Sequence, residues 1–255
     1  MNAGEKFALA GFLDLTACYL KDGYARDEYF EADEYFETTL ETTDTTDTTV
    51  TEDISSLPLV YQIDEDEDAV TRVSADIAEC EACGLAATRT LVVPGEGVEN
   101  PLIMVVGEGP GADEDKTGRP FVGKTGQLLD KMLESIGLSR NTNCFIANTV
   151  KCRPPGNREP EHGEMAACFP FLERQIKLLC PRVILCAGRI AAQNLLKTDK
   201  GINALRGEFT ELRIGDITIP VLCTFHPSAL LRDESLKRPA WEDLKLLKSH
   251  LELPE

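Results

Sequence analysis

Four cysteines are spaced in two pairs that could bind one metal centre. The first pair has the spacing C-x2-C, the second has the spacing C-x15-C, and 68 residues separate the pairs (Cys80, Cys83, Cys152 and Cys168). Thiolates select zinc, copper(I) or iron–sulfur clusters over harder cations. Zinc ribbons usually repeat the C-x2-C spacing, so the wide second pair fits zinc poorly and favours a [4Fe–4S] cluster. Buried free thiols are the alternative.

The other five cysteines are interpreted as small apolar residues of the interior, because they include members of apolar runs such as VILCAG and VLCTF (Cys18, Cys144, Cys180, Cys186 and Cys223). The N-terminal sequence lacks the features of a secretory signal, and no run approaches the roughly 18 apolar residues of a membrane span. We therefore expect a cytoplasmic protein in a reducing compartment, with no membrane partner.

Three segments have the residue types of a binding site. A glycine-rich loop, Gly107 to Gly111, follows an apolar strand and offers main-chain N–H groups to a ligand, but it has neither the P-loop pattern nor the dinucleotide-binding spacing. A second segment, 148–158, begins with an amide and carries three cations. A third segment, 225–231, contains His226 followed by a proline. An amide can read a base edge, and a histidine can donate to a developing anion.

The elements that would position these segments alternate between strands and helices. Apolar runs of strand length are predicted at Leu102–Val106, Phe145–Val150, Val183–Ala187 and Ile217–Cys223, and helical periodicity lies between and after them. This alternation predicts a three-layer α/β/α sandwich with a mostly parallel central sheet. Loops after the carboxyl ends of such strands bind ligands, so the three segments are expected to meet there.

Charge divides the chain into two parts. Residues 1–79 carry 4 Lys and Arg against 21 Asp and Glu, whereas residues 80–255 carry 22 against 23. The net charge of −18 therefore does not exclude a polyanionic substrate for the second part. Residues 1–21 are predicted to include a short amphipathic helix, and residues 22–71 an acidic, largely disordered linker. A solvated spacer is favoured over DNA mimicry or contact with a protein partner.

Together, the segments GEGPGADEDKTGRPFVG, NTVKCRPPGNREP and HPSALLR and the four spaced cysteines resemble the family 4 uracil-DNA glycosylases, the iron–sulfur branch of that superfamily. The similarity covers roughly residues 72–250, and residues 72–255 are expected to form the catalytic domain. It implies a monofunctional enzyme that flips deoxyuridine out of single- or double-stranded DNA and hydrolyses the N-glycosidic bond in base excision repair. It also implies a monomer and a structural [4Fe–4S] cluster, with no divalent metal needed for catalysis.

The resemblance also implies roles for individual residues. It implies that Phe121 stacks on uracil, that Asn148 reads the N3/O4 edge and that His226 lies near O2. Glu108 is expected to position water or stabilise the sugar cation, with Glu114 as the second acidic candidate. Gly109, Asn157 and Ser228 are expected to shape the uracil pocket. The candidates for phosphate contacts are the three cations of the second segment and the arginine that follows the third (Lys151, Arg153, Arg158 and Arg232). The cluster is expected to hold Lys151 and Arg153 toward DNA.

Three alternatives stay open at this point. A non-catalytic iron–sulfur or zinc module could bind DNA without needing Glu108, Asn148 and His226. A phosphate-ester enzyme could hold Mg²⁺ with Asp113, Glu114 and Asp115. A related branch traps uracil-DNA covalently through a histidine in an Arg-rich loop, but this chain has no such insertion.

Overall fold

The computed structural model describes residues 69–253 of the 255-residue chain. The prediction of a helix within residues 1–21 lies outside the described residues, as does the predicted linker of residues 22–71 up to residue 68. The predicted linker extends too far at its end, because residues 70 and 71 are helical. A helix, α1, begins at Val70, two residues before the predicted start of the catalytic domain. Asp76 of α1 accepts a hydrogen bond of 2.8 Å from Arg174 and so ties α1 to the helix that carries Arg174.

Within residues 69–253, the sheet has six strands in the order β1-β3-β2-β4-β6-β5. The pairings β2/β3, β2/β4 and β4/β6 are parallel, whereas β1 and β5 pair antiparallel at the two edges. The strands are β1 (Glu96–Gly97), β2 (Ile103–Gly107), β3 (Cys144–Asn148), β4 (Val183–Ala187), β5 (Phe209–Ile214) and β6 (Ile217–Thr224).

Helices connect the strands and cover the sheet. They are α1 (Val70–Ala78), α2 (Ala112–Thr117), α3 (Lys124–Glu134), α4 (His162–Leu179), α5 (Arg189–Leu196), α6 (Ile202–Leu205), α7 (Pro227–Arg232) and α8 (Lys237–His250). Short 3-10 segments lie at Gly84–Ala87, Pro155–Asn157 and Glu234–Leu236. No helix between residues 69 and 253 has the length and apolar content that crossing a bilayer requires.

The central strands β2, β3 and β4 are buried at every position, as expected for parallel strands covered on both faces. Alternate residues of β2 enter different cores: Val105 packs with residues of α3 and α8, and Met104 packs with residues of α4 and α5. The register aligns Val105 with Ile146 on one side and with Leu185 on the other. The predicted α/β/α architecture is confirmed.

The edge strands were not predicted. In β5 only Leu212 and Ile214 are buried, and its other residues include the exposed Glu211 and Arg213. β1 has two residues, too few to produce an alternating pattern. Both strands pair antiparallel with a longer neighbour. This pairing depends on the tertiary fold and leaves no local pattern in the sequence.

Candidate active site

The three predicted segments meet at the carboxyl ends of the parallel strands. They line one cleft of about 620 Å³, together with the start of α5. The cleft-lining residues include the predicted acidic, pocket and cationic residues, apart from Lys151 and Arg153 (Glu108, Gly109, Glu114, Phe121, Asn148, Asn157, Arg158, His226, Ser228 and Arg232). The parallel topology thus brings together residues that are up to 124 positions apart in the sequence.

Asn148 ends β3 and presents an unpaired acceptor to the cleft. Its side chain is 1 % exposed, and its Oδ1 atom is buried without a hydrogen-bond partner. A Cβ atom at Gly107, the aligned last residue of β2, would lie 2.5 Å from this Oδ1. A buried acceptor without a donor is unfavourable, so this oxygen indicates a ligand that brings an N–H group.

Phe121 packs its ring against the same glycine. A Cβ atom at Gly107 would lie 2.5 Å from Cζ of Phe121, so only glycine leaves room for the ring. The centroids of the Phe121 and His226 rings are 5.7 Å apart, with 37° between the ring planes. The backbone of Phe121 has a φ of 52°, a left-handed conformation that is rare for a bulky residue. The aromatic ring forms one wall of the cleft.

His226 follows β6 and caps the N-terminus of α7. Its Nδ1 accepts from the main-chain N–H of Ser228 at 3.2 Å and lies 2.8 Å from the Ser228 hydroxyl oxygen. The hydroxyl oxygen also accepts from Arg232 at 3.4 Å. Burial, and then the positive charge of Arg232, lowers the pKa of His226 to about 4. The imidazole is therefore neutral at pH 7.

Glu108 is the half-buried carboxylate of the glycine-rich loop. Burial, and then repulsion from Glu159, raises the pKa of Glu108 above its ordinary value, while Arg189 and Arg232 oppose this shift. Its main-chain carbonyl accepts from the N–H of Val150 at 3.3 Å, which fixes the loop beside the segment after β3. A carboxylate with a raised pKa is suited to accept a proton near neutral pH.

Glu114 lies in the same cleft, but main-chain groups occupy both of its carboxylate oxygens. Oε1 accepts from the N–H groups of Val122 and Gly123 at 2.9 and 3.0 Å, and Oε2 accepts from the N–H of Gly111 at 3.1 Å. This carboxylate therefore ties the glycine-rich loop to the loop that carries Phe121. Asp115 is also engaged, since it accepts from the N–H and the hydroxyl of Thr90.

The four spaced cysteines line one small cavity. Cys152 and Cys168 are buried, and Cys80 and Cys83 are half-buried. N–H groups donate to three of the sulfurs: Arg89 to Cys152 at 3.3 Å, Lys151 to Cys168 at 3.3 Å and Ala82 to Cys80 at 3.5 Å. Burial raises the pKa of the Cys152 thiol and raises that of the Cys168 thiol to about 11, and the donors from Arg89 and Lys151 act against these shifts.

Among residues 69–253, no three or more His, Cys, Asp or Glu side chains are arranged to hold a single metal ion. Tetrahedral zinc needs four ligands about 2.0–2.3 Å from one point, an arrangement that the side chains of residues 69–253 do not show. In a [4Fe–4S] cluster the four cysteines are shared among four irons, so they need not converge on one point. The alternative of a magnesium site at Asp113, Glu114 and Asp115 finds no support either.

Residues 94–245 match the family model of the uracil DNA glycosylase superfamily. The chain belongs to this superfamily. Three relatives named type-4 uracil-DNA glycosylase place it in the type-4 branch. They are from Thermotoga maritima (44 % identical, covering 72 % of this chain and 96 % of the relative), Pyrobaculum aerophilum (41 %; 67 % and 88 %) and Sulfurisphaera tokodaii (40 %; 71 % and 84 %).

The cations of this type-4 member differ in their partners. Arg158 is exposed and makes a two-point contact with Glu164 at 2.6 and 2.8 Å. Arg153 donates to Oδ1 of Asn157 at 2.8 Å, which keeps Arg153 beside the cleft although it is not a lining residue. Arg232 is exposed at the end of α7. These three arginines lie at or beside the cleft.

Lys151 requires a correction. It is 1 % exposed, and its Nζ donates to the main-chain carbonyl of Asn148 at 3.0 Å and to Oε1 of Gln175 at 2.7 Å. Because the ammonium group is enclosed, the prediction of a phosphate contact is wrong. The side chain instead supports the strand end that carries Asn148.

Sequence reasoning missed Arg189 and Glu159, which also line the cleft. The two side chains form an ion pair, and Arg189 directly follows Gly188, the residue after β4. Its place after the carboxyl end of a parallel strand was the available signal. Nothing in the sequence around Glu159 marks it as a cleft residue, because it is defined by its contact with Arg189 and its charge effect on Glu108.

Proposed function

We propose that this chain is a uracil-DNA glycosylase that flips deoxyuridine out of DNA, hydrolyses its N-glycosidic bond and releases uracil. The observation that carries the proposal is the buried, unpartnered Oδ1 of Asn148 in the cleft between Phe121 and His226. Uracil presents an N–H donor at N3 between two carbonyl acceptors, so it complements an amide and a neutral histidine. The names of the type-4 relatives support the same activity.

Base selection follows from Asn148. Its Oδ1 accepts from N3–H of uracil, and its Nδ2 donates to O4. Cytosine has an acceptor at N3 and a donor at N4, so both groups of the amide would stay unpaired in a buried site. Unpaired buried polar groups give strong discrimination, because no water replaces the lost partner. Phe121 stacks on the flipped base.

Charge stabilisation follows from His226. Cleavage leaves negative charge on uracil O2, and a pre-oriented donor stabilises that charge without reorganisation. Nδ1 of His226 accepts from Ser228, which leaves Nε2 as the donor. The Ser228 hydroxyl and Arg232 hold the ring in this orientation.

Water activation is assigned to Glu108 rather than to Glu114. The pKa of Glu108 is raised, whereas the carboxylate of Glu114 is engaged by three main-chain N–H groups. Gly109 has no side chain to offer, and a Cβ at that position would lie 2.9 Å from Cγ2 of Val150. Glu108 is the acidic residue of the loop from Gly107 to Gly111. No hydrogen bond described for residues 69–253 involves its carboxylate.

The DNA strand would cross the rim of the cleft, where Arg153, Arg158, Arg189 and Arg232 provide phosphate contacts. Such contacts position the strand without reading its sequence. The chain would act as a monomer on single- or double-stranded DNA, and the acidic segment before residue 69 is left without a catalytic role.

Cys80, Cys83, Cys152 and Cys168 would hold a [4Fe–4S] cluster. Their position around one cavity and the N–H donors to their sulfurs fit a thiolate-ligated group. When bound, the cluster supplies structural cross-linking, because hydrolysis of a glycosidic bond transfers no electrons. It would fasten the segment after α1 to the loop that follows Asn148, and α4 to both.

The test is single-turnover release of uracil from a labelled oligonucleotide with one deoxyuridine, in EDTA, with the thymidine and deoxycytidine oligonucleotides as matched controls. We expect uracil release with EDTA present and no release from either control. Asn148→Ala should lower the rate on the order of 10²-fold, because it removes the base-edge contact.

Three outcomes would contradict the proposal. Binding of the uracil oligonucleotide without release would favour a DNA-binding module. Loss of cleavage in EDTA would favour metal-dependent chemistry. A protein–DNA adduct that survives denaturing electrophoresis would favour covalent trapping.

A further inference from the structure

Arg140 donates hydrogen bonds to the backbone of the loop that carries Phe121. It lies between α3 and β3, is 9 % exposed and belongs to none of the sequence motifs. Its Nη1 donates to the carbonyl of Pro120 at 2.8 Å, and its Nη2 donates to the carbonyl of Phe121 at 2.9 Å. One planar guanidinium thus holds two consecutive carbonyls.

Two carboxylates fix this guanidinium in turn. Oδ1 of Asp130 accepts from Nε at 3.0 Å and from Nη2 at 2.8 Å. Oε2 of Glu96 lies 3.6 Å from Nη1. The planar group is therefore anchored to α3 and β1 while it holds the loop, and its side chain has little freedom to rotate.

The loop needs external support because Phe121 has a left-handed backbone with a φ of 52°. Such a conformation is unfavourable for a bulky residue and persists only where the surroundings fix it. The fit is close: a Cβ at Gly126 would lie 1.8 Å from the carbonyl oxygen of Phe121. Glu114 holds the N–H groups of the next two residues, Val122 and Gly123. Arg140 supplies the matching donors to the carbonyls.

We propose that Arg140 is a positioning residue that holds Phe121 in its strained backbone conformation and thereby fixes the ring in the base pocket before the base enters. This inference rests on the proposed function, since it takes Phe121 as the stacking residue. Arg140 does not touch the base. Its contribution reaches the base only through the ring of Phe121.

A double-mutant cycle of Arg140→Gln and Phe121→Ala tests this coupling, with the inhibition constant of free uracil and the single-turnover rate as readouts. We expect each single variant to weaken uracil binding on the order of 10-fold, the scale of one lost stacking contact. The double variant should bind uracil as Phe121→Ala does, because the ring that Arg140 positions is gone. Such non-additivity marks residues that act as one unit.

The thermal midpoint of every variant is measured alongside, and Arg213→Gln on the exposed part of β5 is the matched control. If Arg140→Gln does not fold, Arg140→Lys replaces it in the cycle, because lysine keeps the charge but cannot hold both carbonyls in a planar fork. A folded Arg140 variant with unchanged uracil binding, or additive losses in the double variant, would overturn the inference. Unchanged binding in Phe121→Ala would instead refute the stacking role in the proposed function.

Discussion

The main-chain N–H of Ser228 donates to Nδ1 of His226 at 3.2 Å, and this bond sets the protonation of the ring. Since a main-chain N–H can only donate, Nδ1 is unprotonated and Nε2 carries the proton. A second proton on Nδ1 would break this bond and place a buried positive charge near Arg232. The histidine is therefore held as a neutral donor.

His226→Ala should reduce single-turnover uracil release on the order of 10²-fold or more, because it removes the donor to the developing charge on O2. Ser228→Ala should cost less, on the order of 10-fold, because the main-chain N–H at position 228 still orients the ring. Ser235→Ala, at an exposed serine outside the cleft, is the control and should react like the wild type. A Ser228→Ala loss as large as that of His226→Ala would contradict this ranking.

The pH profile should separate Glu108 from His226. Glu108 has a pKa raised above 4.5, whereas the pKa of His226 is lowered to about 4. As the pH falls, Glu108 therefore gains its proton first, and the acid limb of kcat/KM should have its midpoint above pH 4.5. Glu108→Gln should lower the rate and remove that limb, leaving only a loss near pH 4.

Glu159→Gln is the matched variant for this profile. Burial is the main cause of the raised pKa of Glu108, and repulsion from Glu159 adds to it, so the removal of Glu159 should move the acid limb part of the way to lower pH with little change in the plateau rate. The single-turnover rate is measured from about pH 3 to pH 8 at subsaturating enzyme concentration, where it reports kcat/KM. An unchanged limb in both Glu108→Gln and Glu159→Gln would move the assignment away from Glu108.

The sequence predicted the parallel core because its strands are buried on both faces and read as continuous apolar runs, as in Val183–Ala187. It did not predict β5, because the exposed Glu211 and Arg213 interrupt the apolar pattern. The loops at strand ends were found because the topology makes those positions functional whatever their exact residues. The sequence thus predicted where the buried strands end, but it did not predict which strands pair at the edges of the sheet.

The placement of Asn148 and His226 in the cleft was predictable, because each residue type suggests its chemistry and follows a strand. It was not predictable where the role depends on burial or on partners distant in sequence. Lysine is almost never fully buried, so nothing local marks Lys151 as interior. Arg140 contacts Pro120 and Phe121 across about 20 positions, and only the folded chain shows that contact.

Protein purified without air should be brown and contain iron and sulfide near four per chain, as expected for a cubane cluster. Cys152→Ser should bleach the colour, because Cys152 lies in the shared cavity. Cys144→Ser is the control, since Cys144 is buried in β3 outside that cavity and should leave the colour intact. Stoichiometric zinc without iron would contradict the cluster, as would unchanged colour in Cys152→Ser.

Deletion of residues 1–68 should leave folding and uracil release intact, because the described elements begin at Val70 and the cleft is built from residues 108–232. Residues 1–79 hold nearly all of the excess negative charge, so the deletion should tighten DNA binding modestly at low salt. Raising the salt concentration screens charges over about 10 Å at 0.1 M and should shrink the difference. The measurements are DNA affinity against salt, the single-turnover rate and the thermal midpoint of both proteins. An insoluble or inactive truncated protein would show that the domain needs the acidic segment. Equal DNA affinities of the two proteins at low salt would show that the charge of the segment does not affect DNA binding.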